Sequence, residues 1–204
     1  MLNKFFFKHG SEKEIIDLGL HPFADTFVKK NQLDICEPLF PLKCFLNSKT
    51  GYIRNSIITN DVSRYNLYDY SYTSSNSSYS RKYWIKYGIS AMNEFEIDQN
   101  TKILEIGSND GFLLKQFRKK TNKLWGNDAS KFMCELSKKS KIRSFNCIFN
   151  SKNSGIIKNQ IGSIDIIIAN NVLNHANNPY DFLKGVHKLL AKKGVFIFEL
   201  PYWY

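Results

Sequence analysis

Beyond residue 97, short apolar runs alternate with longer stretches whose apolar residues recur every three or four positions. This alternation narrows the possible folds more than any other feature of the chain. It predicts strands at KILEIG (102–107), KLWGND (123–128), IRSFN (142–146), SIDIIIAN (163–170) and GVFIFEL (194–200). Helical spacing marks GFLLKQFRKK (111–120), ASKFMCELSKKS (129–140) and PYDFLKGVHKLLAKKG (179–194). Leu113, Leu114 and Phe117 share one face of the first, and Phe182, Leu183, Val186, Leu189 and Leu190 form the stripe of the last. Pro179 sits near the start of that last helix and Gly194 past its end, the usual asymmetry of helix termini. SIDIIIAN and GVFIFEL are continuously apolar, as strands covered on both faces are. Strands alternating with helices imply an α/β fold, with a parallel, Rossmann-like sheet of which these are the first five strands.

The residues before this region read differently. FFFK, EIIDLG, PLKCFLN and GYIRNSII are short strand candidates between turn signals, so residues 1–70 are expected to form a small, mostly-β module. SYTSSNSSYS (71–80) is rich in Ser and Tyr, and its plain reading is a low-complexity linker. RKYWIKYGISAMNEF (81–95) reads as a helix carrying Trp84, Ile85, Ile89 and Met92. Residues 71–96 thus form a linking segment, and 97–204 the ligand-binding domain.

No apolar run is long enough to cross a membrane, and the FFF at Phe5–Phe7 is too short for a signal-peptide core. The four cysteines form no CxxC pair and are expected as reduced thiols in a cytoplasmic protein. A net charge of +11 raises nucleic acid as a partner. The excess is local, however: Phe112–Arg143 holds ten Lys/Arg against Asp128 and Glu135. Aromatics do not alternate with these cations as in a base-stacking surface. The cluster is read as a solvated helix face, with no nucleic-acid or membrane partner expected, although an anionic small molecule would profit from it.

The first strand, turn and helix of the alternating region are written ILEIGSNDGFLL. In open α/β sheets ligands bind at the carboxyl ends of the strands. Gly107 and Gly111 allow close backbone approach, and Asn109 tolerates the positive φ for which such turns often use a further glycine. The dinucleotide fingerprint G-x-G-x-x-G is absent. Glu105 and Asp110 would also repel a pyrophosphate. A ligand with an ammonium, a sulfonium and a ribose fits better, which describes S-adenosylmethionine (SAM), with S-adenosylhomocysteine (SAH) as product. Asp128, at the end of the second strand, can accept both ribose hydroxyls, or it caps the helix that follows. Asn170 and Asn171 supply amides at the end of the fourth strand, or form a turn. The expected cofactor residues are Glu105, Gly107, Ser108, Asn109, Gly111, Asp128, Ala129, Asn170 and Asn171.

Together, ILEIGSNDG, ANNVLNH, GVFIFELPY, the LGLHPFADTF box (Leu18–Phe27) and the Tyr/Ser-rich segment resemble the SAM-dependent sugar methyltransferases of the deoxysugar C-methyltransferase type. The resemblance runs from about residue 6 to 204 and implies a small zinc-binding module ahead of a class I methyltransferase sheet. Two departures matter. At the positions where that family carries its C-x-x-C-G cysteines stand Phe6 and His9, then Asn47 and Thr50, with Gly10 and Gly51 retained. A structural zinc site needs four N/S ligands, so the module is expected to fold without zinc, held by its Phe, Leu and Ile residues. The family also continues past PY with a Tyr-His-Glu-His-like motif that supplies acid/base chemistry, whereas this chain ends at Tyr204. It is therefore expected to be either a piece of a longer protein or a short protein with a different mechanism.

Methyl transfer mainly requires positioning, and O-methylation adds one general base. His175, in NNVLNHANN, is the candidate base, against a plain packing role. Tyr72 is the second catalytic candidate, and Glu199 and Tyr202 are placed to line the acceptor side. The resulting expectation is O-methylation, favoured over C-methylation, of a nucleotide-linked sugar or other activated cell-surface or capsule polysaccharide precursor. The alternative is a SAM-binding, catalytically silent subunit that pairs with a complete methyltransferase. A homodimer is also open, and a nucleic-acid methyltransferase is least favoured.

Overall fold

The computed structural model describes residues 11–24, 28, 30–34, 36–59 and 72–201. The chain divides into two compact units, Met1–Ser71 and Tyr72–Tyr204. In the first unit, β1 (Glu12–His21), β2 (Phe40–Asn47) and β3 (Ile53–Asn55) form an antiparallel sheet in that order. β1 runs longer than EIIDLG, with irregularities between Glu14 and Ile16 and between Asp17 and Leu20. Lys43 bridges Glu14 and Asp17 at 3.2 and 2.7 Å, and the Arg54 guanidinium grips the Glu12 carboxylate.

The apolar residues expected to hold this unit do not form a core among the described residues. Asn47 is the single buried side chain there, and Leu18, Leu20, Leu33 and Leu39 are exposed. The turn after β2 is held by an amide. Asn47 Oδ1 accepts the N–H groups of Lys49 and Thr50 at 3.1 and 3.0 Å, and Gly51 follows at φ +72°. Phe6, His9, Gly10 and the FFFK strand candidate lie outside the described residues. Among the described residues no group of three or more His, Cys, Asp or Glu side chains is placed to hold a metal.

The second unit runs α1 (Ser78–Glu94), β4 (Ile103–Ile106), α2 (Phe112–Phe117), β5 (Leu124–Asp128), α3 (Lys131–Lys139), β6 (Arg143–Asn146), α4 (Ser151–Ile161), β7 (Ile164–Asn170), α5 (Pro179–Leu189) and β8 (Leu190–Glu199). Its five strands are all parallel, in the order β6-β5-β4-β7-β8. This is the Rossmann-like α/β sheet implied by the alternation. Successive strand residues feed opposite cores. Ile103, Ile166 and Ile168 pack with Met92, Leu113 and Phe117 of α1 and α2. Leu104, Ile106, Ile164 and Ile167 pack with Ile157, Phe182, Val186 and Leu189 of α4 and α5. Hence β4 and β7 are covered on both faces.

Three elements differ from the expectation. α5 ends at Leu189, short of Gly194, because Leu190 is extended (φ −64°, ψ 141°) and pairs with Ile164. The AKKG stretch is taken up in a register shift, and Gly194 fits there because a Cβ would lie 2.8 Å from Leu190 Cγ. β8 is not buried on both faces: it is the sheet's edge, half-buried, with Phe198 52% exposed. An apolar run alone does not distinguish an edge strand from a central one. Finally, α4 was not expected. SKNSGIIKNQI has few apolar residues, and it is held by its Asn150 cap and by α5, where a Cβ on Gly185 would lie 3.0 Å from the Asn150 backbone. α2 is also shorter than GFLLKQFRKK, becoming a turn after Phe117.

No helix among the described residues is long and apolar enough to cross a membrane. The four cysteines are unpaired.

Candidate functional site

The turn after β4 is built from backbone. Gly107 and Ser108 both donate their N–H groups to Asn127 O on β5, at 2.7 and 3.0 Å, and Gly111 N–H closes onto Ser108 O at 2.9 Å. Gly107, Asn109 and Gly111 have φ of +69°, +50° and +75°. A Cβ on Gly107 would lie 2.1 Å from Val172 Cγ2, so this glycine also makes room for the chain leaving β7. Asn109 adopts the positive φ and puts its amide to use. Its Oδ1 accepts the N–H of Ser74 (2.9 Å) and its Nδ2 donates to Tyr72 O (3.0 Å).

Asp110 does not face a phosphate position. Its carboxylate accepts the hydroxyls of Ser74 (2.7 Å) and Ser75 and the N–H of Phe112 (3.1 Å). The Tyr/Ser-rich segment is therefore an ordered clasp on the turn rather than a linker. It then starts α1 through a reciprocal Ser77–Ser80 capping box.

Asp128 joins this turn to the next one. One carboxylate oxygen accepts Asn109 N–H and the other Ser130 N–H, both at 2.9 Å. Ser130, not Asp128, caps α3, with its hydroxyl accepting Met133 N–H. Burial pushes the Asp128 carboxyl up, and the two N–H bonds pull it back. The Ala129 carbonyl accepts from Asn146 Nδ2 at 2.9 Å. Beyond it lies a cleft lined by Phe145, Asn146, Cys147, Asn153, Ile156 and Ile157.

β4 and β7 are neighbours although the chain visits β5 and β6 between them. Such a switch point is where an open α/β sheet leaves a crevice at its carboxyl edge. Three buried polar atoms there lack a partner: Glu105 Oε2, Ser108 Oγ and Asn170 Nδ2. Glu105 is only 6% exposed. Burial, and then the charges of Asp110 and Asp128, hold its carboxyl well above the usual carboxylate range. Asn170 Oδ1 accepts the Tyr87 hydroxyl at 3.1 Å, which leaves its amide donor directed elsewhere. Asn171, at φ +54°, donates from its Nδ2 to Glu199 Oε1 at 2.8 Å.

Comparison with known proteins bears on this arrangement. Residues 104–196 match the family model of a methyltransferase domain. The match spans a little under half of the chain and runs from β4 into β8. No curated protein matches the chain. Among solved structures, a SAM-dependent methyltransferase from Clostridium acetobutylicum ATCC 824 is 20% identical, with a TM-score of 0.46 over 60% of this chain and 50% of that one. The plantazolicin methyltransferase BpumL, in complex with a pentazolic desmethylPZN analog and SAH, is 17% identical, with a TM-score of 0.45 over 59% and 47%. Precorrin 8w decarboxylase from Methanobacterium thermoautotrophicum is 12% identical, with a TM-score of 0.45 over 55% and 61%. This chain spans about half the length of the first two.

The two catalytic candidates lie on different elements of the second unit. Tyr72 is 46% exposed and holds the glycine turn through its carbonyl. His175 ends the 3-10 turn Leu173–His175 after β7 and is exposed, with a ring nitrogen 3.4 Å from Asn174 Nδ2. Tyr202 lies outside the described residues.

Sequence reasoning missed Ser74, Ser75, Tyr83 and Tyr87. Tyr83 and Tyr87 lie one turn apart on α1. Tyr83 donates its hydroxyl to Glu199, and that bond raises the phenol to about 12. Their i, i+4 spacing in RKYWIKYG was the available signal. Much of the basic cluster, by contrast, lies away from these groups. Lys119, Lys120, Lys138, Lys139 and Lys141 lie at or just past the ends of α2 and α3, helices that run back against parallel strands. They therefore fall at the amino edge of the sheet, opposite Glu105 and Asp128.

Proposed function

We propose that the second unit binds S-adenosylmethionine at the carboxyl ends of β4, β5 and β7, and that the chain is a SAM-dependent methyltransferase. The carrying observation is the pairing of an unpartnered acceptor, Glu105 Oε2, with an unpartnered donor, Asn170 Nδ2, across the switch point. The amino-acid end of SAM brings an ammonium for the first and a carboxylate for the second. A pyrophosphate would satisfy only the donor and would face the Asp128 carboxylate. Unpartnered buried polar atoms are rare in proteins because each costs about 1–3 kcal/mol. The residues present thus fit the group. Asp128 is placed for the ribose hydroxyls, and the cleft at Phe145, Asn146 and Cys147 is placed for the base.

Bound SAM supplies an electrophilic methyl on a sulfonium. The chain's own side chains position the acceptor and take its proton. His175 is the base in this reading, with Tyr72 orienting the acceptor from the clasp. One imidazole suits removal of a hydroxyl proton, which supports O-methylation over C-methylation. The resemblance to sugar methyltransferases carried by the LGLHPFADTF box and the Tyr/Ser-rich segment implies a carbohydrate acceptor, such as the sugar portion of a surface-polymer precursor.

Calorimetry with SAH tests this reading. The wild-type chain is expected to bind, and Asp128→Ala to lose about tenfold or more, the scale of hydrogen bonds to a charged group. Binding of NAD with none of SAH would overturn it.

A further inference from the structure

We infer that the carboxyl ends of β7 and β8 form an acceptor subsite anchored on the Glu199 carboxylate, which takes a neutral or cationic hydrogen-bond donor, a sugar hydroxyl or amine, rather than an anion. This rests on the methyltransferase reading and specifies the acceptor class of that site.

Glu199 lies opposite Asn170 in the β7–β8 register. Its carboxylate is fixed from two sides, by Asn171 Nδ2 at 2.8 Å on one oxygen and by the Tyr83 hydroxyl on the other. Tyr83 is itself set by an edge contact with Trp84, at 4.9 Å between ring centroids. Each carboxylate oxygen can accept two hydrogen bonds. Among the described residues no further group bonds these oxygens, which makes this fixed, half-buried carboxylate a ready receptor for a ligand donor.

Two unpartnered groups place a ligand beside it. Asn170 Nδ2 is the neighbour across the register, and Glu105 Oε2 lies on the next strand. Tyr87, one turn beyond Tyr83 on α1, donates its hydroxyl to Asn170 Oδ1 at 3.1 Å, so the same helix face holds both Glu199 and Asn170. Strand spacing of about 4.8 Å puts β8 roughly 10 Å from β4, the reach of a small acceptor lying next to a bound methyl donor.

Charge decides the ligand class. Asp128 and Glu199 lie at this edge, Asp110 being taken up by Ser74, Ser75 and Phe112 and Glu105 holding its proton, while the ion pairs among the described residues all lie in the first unit. Of the lysines of α3, Lys131 starts the helix at this edge, while Lys138 and Lys139 end it at the opposite one. An anionic group here would meet like charge, and a hydroxyl or ammonium would not.

Saturation-transfer NMR on the SAH-loaded chain tests the inference, with methyl glucoside, glucosamine and glucose 1-phosphate as probes. The first two are expected to bind and compete, glucosamine the tighter of the pair if the ammonium is read. Glucose 1-phosphate is expected to bind about tenfold more weakly. Glu199→Gln, nearly isosteric, should weaken glucosamine about tenfold and leave SAH affinity within about threefold. Tyr83→Phe should weaken both sugars several-fold while keeping the carboxylate. Glucose 1-phosphate binding as well as the neutral sugar, unchanged binding in Glu199→Gln, or no saturation by either uncharged or cationic sugar would each overturn it. Loss of the parent reading shows separately, as a wild-type chain that does not bind SAH.

Discussion

Glu105 is held in the folded chain with a carboxyl well above its ordinary range, chiefly by burial. The folded state therefore keeps a proton that the unfolded state has released. Stability from this group is complete below the ordinary carboxylate range and falls as pH rises from there through the raised value. Glu105→Gln removes the dependence. Its unfolding curve should be flatter across that window and the variant more stable than the parent at the window's upper end, as checked by denaturant melts at stepped pH. Gly107 carries a steric constraint instead. Gly107→Ala combines a φ of +69° with a 2.1 Å clash against Val172. A loss of about 2–4 kcal/mol is expected from strain and overpacking. Adding Val172→Ala should return part of it in the same denaturation assay, whereas a purely conformational penalty would be untouched.

At the scale of elements, the clasp that precedes α1 is the least sequence-like feature. SYTSSNSSYS has the composition of a linker, yet Ser74 and Ser75 hold Asp110 while Ser77 and Ser80 start α1. What orders it is a partner remote in sequence. Asp110→Ala removes four acceptor contacts, from Ser74 Oγ, Ser75 Oγ, Ser75 N–H and Phe112 N–H, each worth about 1.5–3 kcal/mol when a charge is involved. Limited proteolysis of that variant should cut within 72–77 faster than in the parent, with the sheet intact by circular dichroism. Equal cutting rates would show that the clasp is held by other contacts. α4 follows the same logic. Its NSGIIKNQ text lacks a stripe, and its helix exists because an Asn150 cap and α5 provide what the pattern does not. The outcome for α5 is the converse. Its periodicity continued toward Gly194, and pairing of Leu190 with Ile164 ended the helix sooner.

For the whole molecule, both buried apolar clusters among the described residues are made of residues from the second unit. Residues 72–204 expressed alone are expected to fold cooperatively, with an unfolding midpoint within a few degrees of the full chain's second-unit transition and unchanged SAH affinity. Thermal scanning and calorimetry check both, and an unfolded product would show that the first unit contributes to this core. The first unit depends on its β ladder, its Lys43 and Arg54 ion pairs and the Asn47 turn. Exposed ion pairs contribute little each, so it is expected to be the weaker unit.

The parallel sheet, the glycine turn and the acids at Glu105 and Asp128 were readable from the sequence because each depends on local pattern. Apolar periodicity sets strand and helix, and a short polar insert between them sets the turn. Asn109 was readable for the same reason, since its positive φ is a property of one residue. Which groups face the ligand was not readable. Asp110 was counted among the site acids, and only the fold, by bringing Ser74 and Ser75 to it, turned it away. Tyr83 and Glu199 are far apart in the chain and meet only because α1 crosses the ends of β7 and β8. The basic run lay next to the site in sequence and at the far edge of the sheet in space, because helices return antiparallel to the strands they follow. Local propensity acts through neighbours along the chain, whereas burial, partnering and charge environment are set by neighbours across it.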